Sequence, residues 1–157
     1  MRITQYKTLK EKDTDLTVLV KEKGFNYNGN INGLNAPQMI YQMMEDLFHL
    51  SLRSEEYLYM LTLNTSNKPL GLFEISHGTV NTTVASPREM FLKALLVGAV
   101  NIVLIHNHPS GTVNPSREDI NLTKRVKEVG NLIDIRLLDH IIIGEDTYTS
   151  LKEEGIL

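Results

Sequence analysis

A chain of 157 residues has room for one ordinary domain, and 41% hydrophobic with 22% charged residues is the composition of a chain that folds. Nineteen acidic residues against 16 basic ones leave a net charge of −3, so there is no broad basic field for a phosphate backbone. The absence of cysteine excludes disulfides, thiolate zinc sites, a cysteine nucleophile, CxxC redox chemistry and the H-x-E…P-C-x-x-C zinc deaminases, so any metal must be held by His, Asp, Glu and water.

Residues 1–35 read as an N-terminal extension. A short β-prone run, Leu16-Thr17-Val18-Leu19-Val20, precedes an Asn- and Gly-rich turn over residues 26–35. The domain proper is expected over residues 36–157. Its first helix should begin near Pro37, because Met39, Ile40, Met43, Met44, Leu47 and Leu50 follow helical i, i+3, i+4 spacing, the methionines reading as core filling. Residues 57–63 and 70–76 read as an antiparallel hairpin around a turn at 64–69. Alternation places Leu72, Glu74 and Ser76 on one face of the second strand, and Phe73 and Ile75 on the other.

Ser86-Pro87-Arg88-Glu89 predicts a helix running to about Val97, with Ser86 as N-cap, Pro87 at N1 and Glu89 completing a capping box. Residues 100–105 form a nearly continuous apolar run, as in a buried central strand. Ser116-Arg117-Glu118-Asp119 is a second capping signal, opening a helix that should end before Gly130. Residues 134–143 read as a strand closed by Gly144, and 149–154 as a short helix. The order implies a mixed α/β domain with a central sheet and helices packed on it. The longest mostly apolar stretch, residues 94–105, falls short of the roughly 20 residues of a membrane span. The N-terminus has no apolar signal core, so a cytoplasmic location without a membrane partner is expected.

One segment carries chemistry: His106-Asn107-His108-Pro109-Ser110-Gly111 at the end of the buried strand. In extended backbone, side chains two apart point the same way, so both imidazoles can converge on one point. Asp119 follows eleven residues past His108, in the first turn of the next helix. Two His and one carboxylate with a fourth position open to water is the pattern of a catalytic zinc site. Two solvent-facing His that bind nothing would give the same letters, and Ser116 and Asp119 are equally explained as a cap. The cap and the metal readings are compatible, since a capping carboxylate can still direct an oxygen to a metal.

The ordered blocks make the pattern specific. His77-Gly78-Thr79-Val80-Asn81, Pro87-Arg88-Glu89, His106-Asn107-His108-Pro109-Ser110-Gly111, Pro115-Ser116-x-x-Asp119 and Leu138-Asp139-His140-Ile141-Ile142-Ile143-Gly144 together resemble the RadC family of the JAB/MPN metalloprotease superfamily, including its JAMM motif, over about residues 36–155. The resemblance implies a single mixed-sheet α/β domain with flanking helices, related to the cytidine deaminase fold. It implies one zinc per chain held by His106, His108 and Asp119, with Ser116 steadying an oxyanion. The upstream glutamate that handles protons falls best on Glu74, which sits within an apolar strand; Glu89 competes but is accounted for by its cap. Asp139 and His140 read as a structural pair or as a contact to the site. His77 and Asn81 read as a turn or as lining of the cleft. His49 has no functional pattern behind it.

The implied activity is zinc-dependent hydrolysis of a peptide or isopeptide bond in a peptide or protein conjugate. Two alternatives stand beside it: a DNA-repair or DNA-processing role of RadC type, and a metal-bound interaction module without turnover. Long RadC proteins carry a helix-hairpin-helix region, and residues 1–35 hold no copy of it. With the acidic balance, and with Lys124-Arg125-Val126-Lys127 reading as a solvated helix face, weak DNA binding is expected.

Overall fold

A computed structural model of the chain describes residues 1–29, 34, 36–78 and 85–157. Its elements are β1 (Arg2–Lys10), β2 (Thr17–Asn26), α1 (Pro37–Phe48), a 3₁₀ turn (Leu50–Leu52), β3 (Glu56–Leu63), β4 (Pro69–Gly78), α2 (Pro87–Leu96), β5 (Asn101–Asn107), α3 (Arg117–Leu132), β6 (Arg136–Gly144) and β7 (Thr147–Ser150). The strands form one mixed sheet in the order β2-β1-β4-β3-β5-β6-β7. The pairs β1–β4 and β5–β6 are parallel and the others antiparallel. This is the α/β architecture with flanking helices that the sequence predicts.

Alternation across the pleat divides the apolar residues of the sheet into two cores. Tyr59, Leu61, Leu72, Val103, Ile105, Ile141 and Ile143 face α1, which contributes Ile40, Met43, Met44 and Phe48. Leu58, Met60, Phe73, Ile102 and Leu104 face the other way and meet Met90, Phe91 and Ala94 of α2 and Leu122 and Val126 of α3. Strand β5 is buried along its whole length, which explains its unbroken apolar run and sets its C-terminal end deep between the layers.

Four local expectations are corrected. The first 26 residues are not a preface with one short strand: β1 and β2 pair along their length and extend the sheet through β4. Lys21, Glu22 and Lys23 hid the far half of β2, and exposed charges are what an edge strand tolerates. Helix α3 runs through Gly130 to Leu132. That glycine serves close approach rather than a helix stop, since a Cβ there would lie 2.3 Å from the Ile135 carbonyl oxygen. Residues 147–150 are a strand, and only turns follow it. Ser86 is the N-cap of α2, but its side chain makes no capping bond and Glu89 pairs with Arg88 instead. The expected turn over residues 26–35 lies partly outside the described residues. No described helix is long and apolar enough to cross a membrane.

Candidate metal centre

The pleat of β5 sends Ile102, Leu104 and His106 to the face covered by α2 and α3, and leaves His106 only 2% exposed. His108 lies one residue past the strand. Its backbone N–H donates to the Ile143 carbonyl (2.9 Å), which keeps it in line with β5. The chain then turns sharply: the Gly111 N–H donates back to the His108 carbonyl (2.9 Å), with Gly111 at φ +78°. This turn packs on the end of β6 at Gly144, where a Cβ would come within 2.3 Å of the Gly111 carbonyl oxygen. The His108 ring is oriented by its own Nδ1, which donates to the Thr112 carbonyl (3.0 Å). A carbonyl only accepts, so the proton of the neutral ring is on Nδ1 and the Nε2 lone pair faces the site.

Asp119 arrives from the first turn of α3. Ser116 caps that helix in a complete capping box: its Oγ accepts from the Asp119 N–H (3.1 Å), and the Ser116 N–H donates to Asp119 Oδ2 (2.7 Å). The Ser116 hydroxyl also donates to Oδ2 (2.6 Å). The cap thereby fixes the rotamer of a carboxylate that meets both imidazoles. Asp119 Oδ1 is 3.2 Å from His106 Nε2 and Oδ2 is 3.6 Å from His108 Nε2, while the two Nε2 atoms are 3.0 Å apart. Ligands bound tetrahedrally to zinc at 2.0–2.1 Å lie about 3.3 Å from one another, so the imidazole pair and the carboxylate, whichever of its oxygens binds, are gathered on the scale of a shared zinc ion.

A fourth donor comes from the first residue of β3. Glu56 Oε1 lies 3.9 Å from His106 Nε2, and one donor atom each from Glu56, His106, His108 and Asp119 all fall within 4.8 Å of one another. Antiparallel pairing explains the position. Leu58 is opposite His106, so Glu56, two residues away, falls across from position 108 on the same face. Asn107, fully buried between the two His, holds this strand end. Its Oδ1 accepts from the Tyr57 N–H (2.8 Å) and its Nδ2 donates to the Glu55 carbonyl (3.0 Å), bracketing Glu56 on both sides. Leu58, Leu122 and His140 complete the small recess around these groups.

The sequence profile of the RadC-like JAB domain matches residues 34–156. The chain belongs to this family. Among curated relatives, a UPF0758 protein of Clostridium tetani is 43% identical over 86% of this chain and 58% of its own length. Those of Clostridium beijerinckii and Clostridium botulinum (strain Okra) are 48% and 44% identical, over 66% and 83% of this chain and 45% and 56% of theirs. The chain therefore spans about half the length of the curated relatives it matches.

In this RadC-like JAB domain, His106, His108 and Asp119 are brought together and Glu74 is held apart from them. Glu74 is opposite Tyr59 in the β3–β4 register, on the face that packs against α1. Its Oε1 is 2.9 Å from His77 Nδ1, the Tyr59 hydroxyl is 3.4 Å from Oε2, and His77 stacks on Tyr57. A bulge pairs Ser76 with Leu58 and Glu74 with Tyr59, so simple alternation fails there. Glu89 is exposed on α2. The residue missed was Glu56, and the signal that could have found it is the antiparallel register with β5. Asp139 and His140 part company. Asp139 is structural, accepting from the Ser150 hydroxyl (2.6 Å) and the N–H groups of His140 (2.7 Å) and Lys152 (3.1 Å). His140 instead reaches His106, with Nε2 to Nδ1 at 2.8 Å. His49 ends α1 in a left-handed conformation, and Asn81 lies outside the described residues.

The charges respond to this crowding. Burial alone would raise the Asp119 carboxyl, but hydrogen bonds from the His106 and His108 rings in their protonated form outweigh it and hold the group far below the usual carboxylate range. The same bond to Asp119 raises His108 against the opposing effect of burial. Desolvation raises Glu56, with the two His rings partly offsetting it, and drives His140 well below the ordinary histidine value. The site thus combines one firmly ionised carboxylate with a second that retains a proton more readily.

Proposed function

We propose that this domain is a zinc-dependent hydrolase of the JAMM type that cleaves a peptide or isopeptide bond, with Glu56 as its proton-transfer residue. The observation that carries this reading is the three-residue triangle of His106, His108 and Asp119, with the two Nε2 atoms 3.0 Å apart, Asp119 Oδ1 3.2 Å from His106 and Oδ2 3.6 Å from His108, and the Glu56 carboxylate just beyond it. Zinc held there would supply Lewis acidity and bring the pKa of a coordinated water towards ~7. Glu56, set back from the triangle and raised by burial, is placed to take a proton at Oε1 and return it to the leaving amine nitrogen. Ser116 orients Asp119 at rest; its hydroxyl can support an oxyanion only by releasing that bond. Beside Asp119 runs a groove along α3 lined by Glu118, Asn121, Lys124, Arg125 and Glu128. Its mixed charge suits a polypeptide better than a polyanion. The full donor set favours turnover over a passive interaction module.

The test compares the zinc-loaded chain with two variants on a panel of peptide and isopeptide-linked substrates. Glu56→Gln should retain zinc and lose hydrolysis by ~10²-fold or more, whereas Glu74→Gln should retain both. Loss of turnover in Glu74→Gln alone would return the proton role to Glu74. Metal-dependent cleavage of DNA with no amide turnover would replace this reading by the DNA-processing one.

A further inference from the structure

We infer that the end of the fold opposite the metal centre, where α2 and α3 finish side by side, is the interface of a two-fold dimer between copies of this chain. This surface shares no residue with the metal site, and the inference goes beyond the hydrolase reading.

Among the described residues, eight large apolar side chains are exposed, and five of them gather here: Leu95, Leu96, Val100, Leu132 and Ile133. Topology brings them together. β5 and β6 are parallel neighbours, with α2 leading into the start of β5 and α3 into the start of β6. Both helices therefore run the same way on one face of the sheet and end at the same edge. They meet where a Cβ on Gly130 would lie 3.2 Å from the Phe91 ring. One turn further on, Leu95 and Leu96 come beside Leu132 and Ile133. Val100 closes the group, because its carbonyl accepts from the Arg136 N–H (3.0 Å) and ties the start of β5 to the chain leaving α3. Single exposed leucines are ordinary, but a continuous apolar patch of a few hundred Å² marks a surface that another molecule covers. Leu132 is 83% exposed and Leu95 59%, so no described part of the chain covers them.

The charges select a second copy as the occupant. No charged residue occurs in 94–101 or in 129–133. Asp134 and Arg136 flank the patch, one charge of each sign, both exposed. Neither belongs to an ion pair among the described residues. A two-fold axis through the patch sets apolar against apolar and Asp134 of each copy against Arg136 of the other. Arg136 then also faces the partially negative C-terminal ends of the opposing helices. A stable dimer buries about 800 Å² per partner. The five apolar residues form its charge-depleted centre, and Asn131, Asp134 and Arg136 its polar rim. A strand of seven residues is about 23 Å long, so β5 holds the metal centre that far from the interface and both centres of the dimer stay open.

The experiment is sedimentation equilibrium of the full chain at micromolar concentrations. The wild type should have twice the 17.8 kDa mass of one chain. Leu132→Glu puts a charge at the most exposed position of the patch. It should raise the dimer dissociation constant ~30-fold or more and leave the circular dichroism spectrum unchanged. Arg136→Glu should weaken the dimer more than Arg136→Gln, because it sets a like charge against Asp134 of the other copy, and Asp134→Asn should erase that difference. Asparagine suits the left-handed backbone of residue 134 (φ 56°). A monomeric wild type overturns the inference. So does a dimer that Leu132→Glu leaves equally tight, since it would use another surface. A difference between the Arg136 variants that survives Asp134→Asn overturns the two-fold pairing. None of these readouts depends on zinc or turnover, so failure of the hydrolase reading would leave them unchanged.

Discussion

At the residue scale, the two histidines and the aspartate were legible because their chemistry is written in short spacings: H-x-H at a strand end, and Asp119 at N3 of a capped helix. Glu56 was not legible, because its role depends on which residue of β3 falls opposite His106, and register is a property of the pairing rather than of either strand alone. Glu74 drew attention as an acid in an apolar strand, but the pleat turns it to the α1 face. The charges make a prediction of their own. His108 is raised by its bond to Asp119, and a protonated imidazole cannot ligate. Zinc affinity, followed by calorimetric titration at several pH values, should therefore fall as pH drops, starting above the ordinary histidine value of about 6.5. The sign is opposite for folding of the metal-free chain. The His108 contribution is fully present below about 6.5 and is lost as pH rises through its raised folded value, while that of Asp119 is present above about 3.9 and is lost as pH falls. Zinc affinity that stays level from neutral pH to well below the ordinary histidine value would contradict this account.

At the element scale, helix starts were easier to read than helix ends. Pro37, Pro87 and Ser116 mark α1, α2 and α3 because the first turn of a helix has local needs that local residues meet. The end of α3 depends instead on the Ile135 backbone packing against Gly130, a contact that no local signal announces. Ser116 joins this level to the site, since one hydroxyl caps α3 and holds Asp119 Oδ2. Ser116→Ala should cost roughly 1 kcal/mol in chemical denaturation of the metal-free chain. It should also weaken zinc binding, because Asp119 loses a bond that fixes its rotamer. Unchanged zinc affinity in that variant would confine Ser116 to the cap.

At the scale of the whole molecule, the mixed α/β sheet followed from the order of apolar runs, while the β1–β2 hairpin escaped because Ile3 is its one fully buried apolar residue and Tyr6, Leu19 and Phe25 are only partly buried against the cores. Such an edge carries too little apolar pattern to be told from a polar tail. Lys124, Arg125 and Lys127 are exposed on α3 around buried Val126, with Glu118 and Glu128 close by, so this face is mixed rather than basic. Binding to duplex or branched DNA near physiological salt should be no tighter than the ~10⁻⁴–10⁻⁶ M of non-specific binders and should weaken further as salt rises. Submicromolar affinity would favour the DNA-processing alternative. The central claim, that His106, His108 and Asp119 form one metal site, is tested most directly by elemental analysis of the purified chain beside His108→Ala. The account expects about one zinc per chain in the wild type and a sharp loss in the variant. Wild-type zinc content in His108→Ala, or a wild type that holds none after equilibration with zinc, would contradict it.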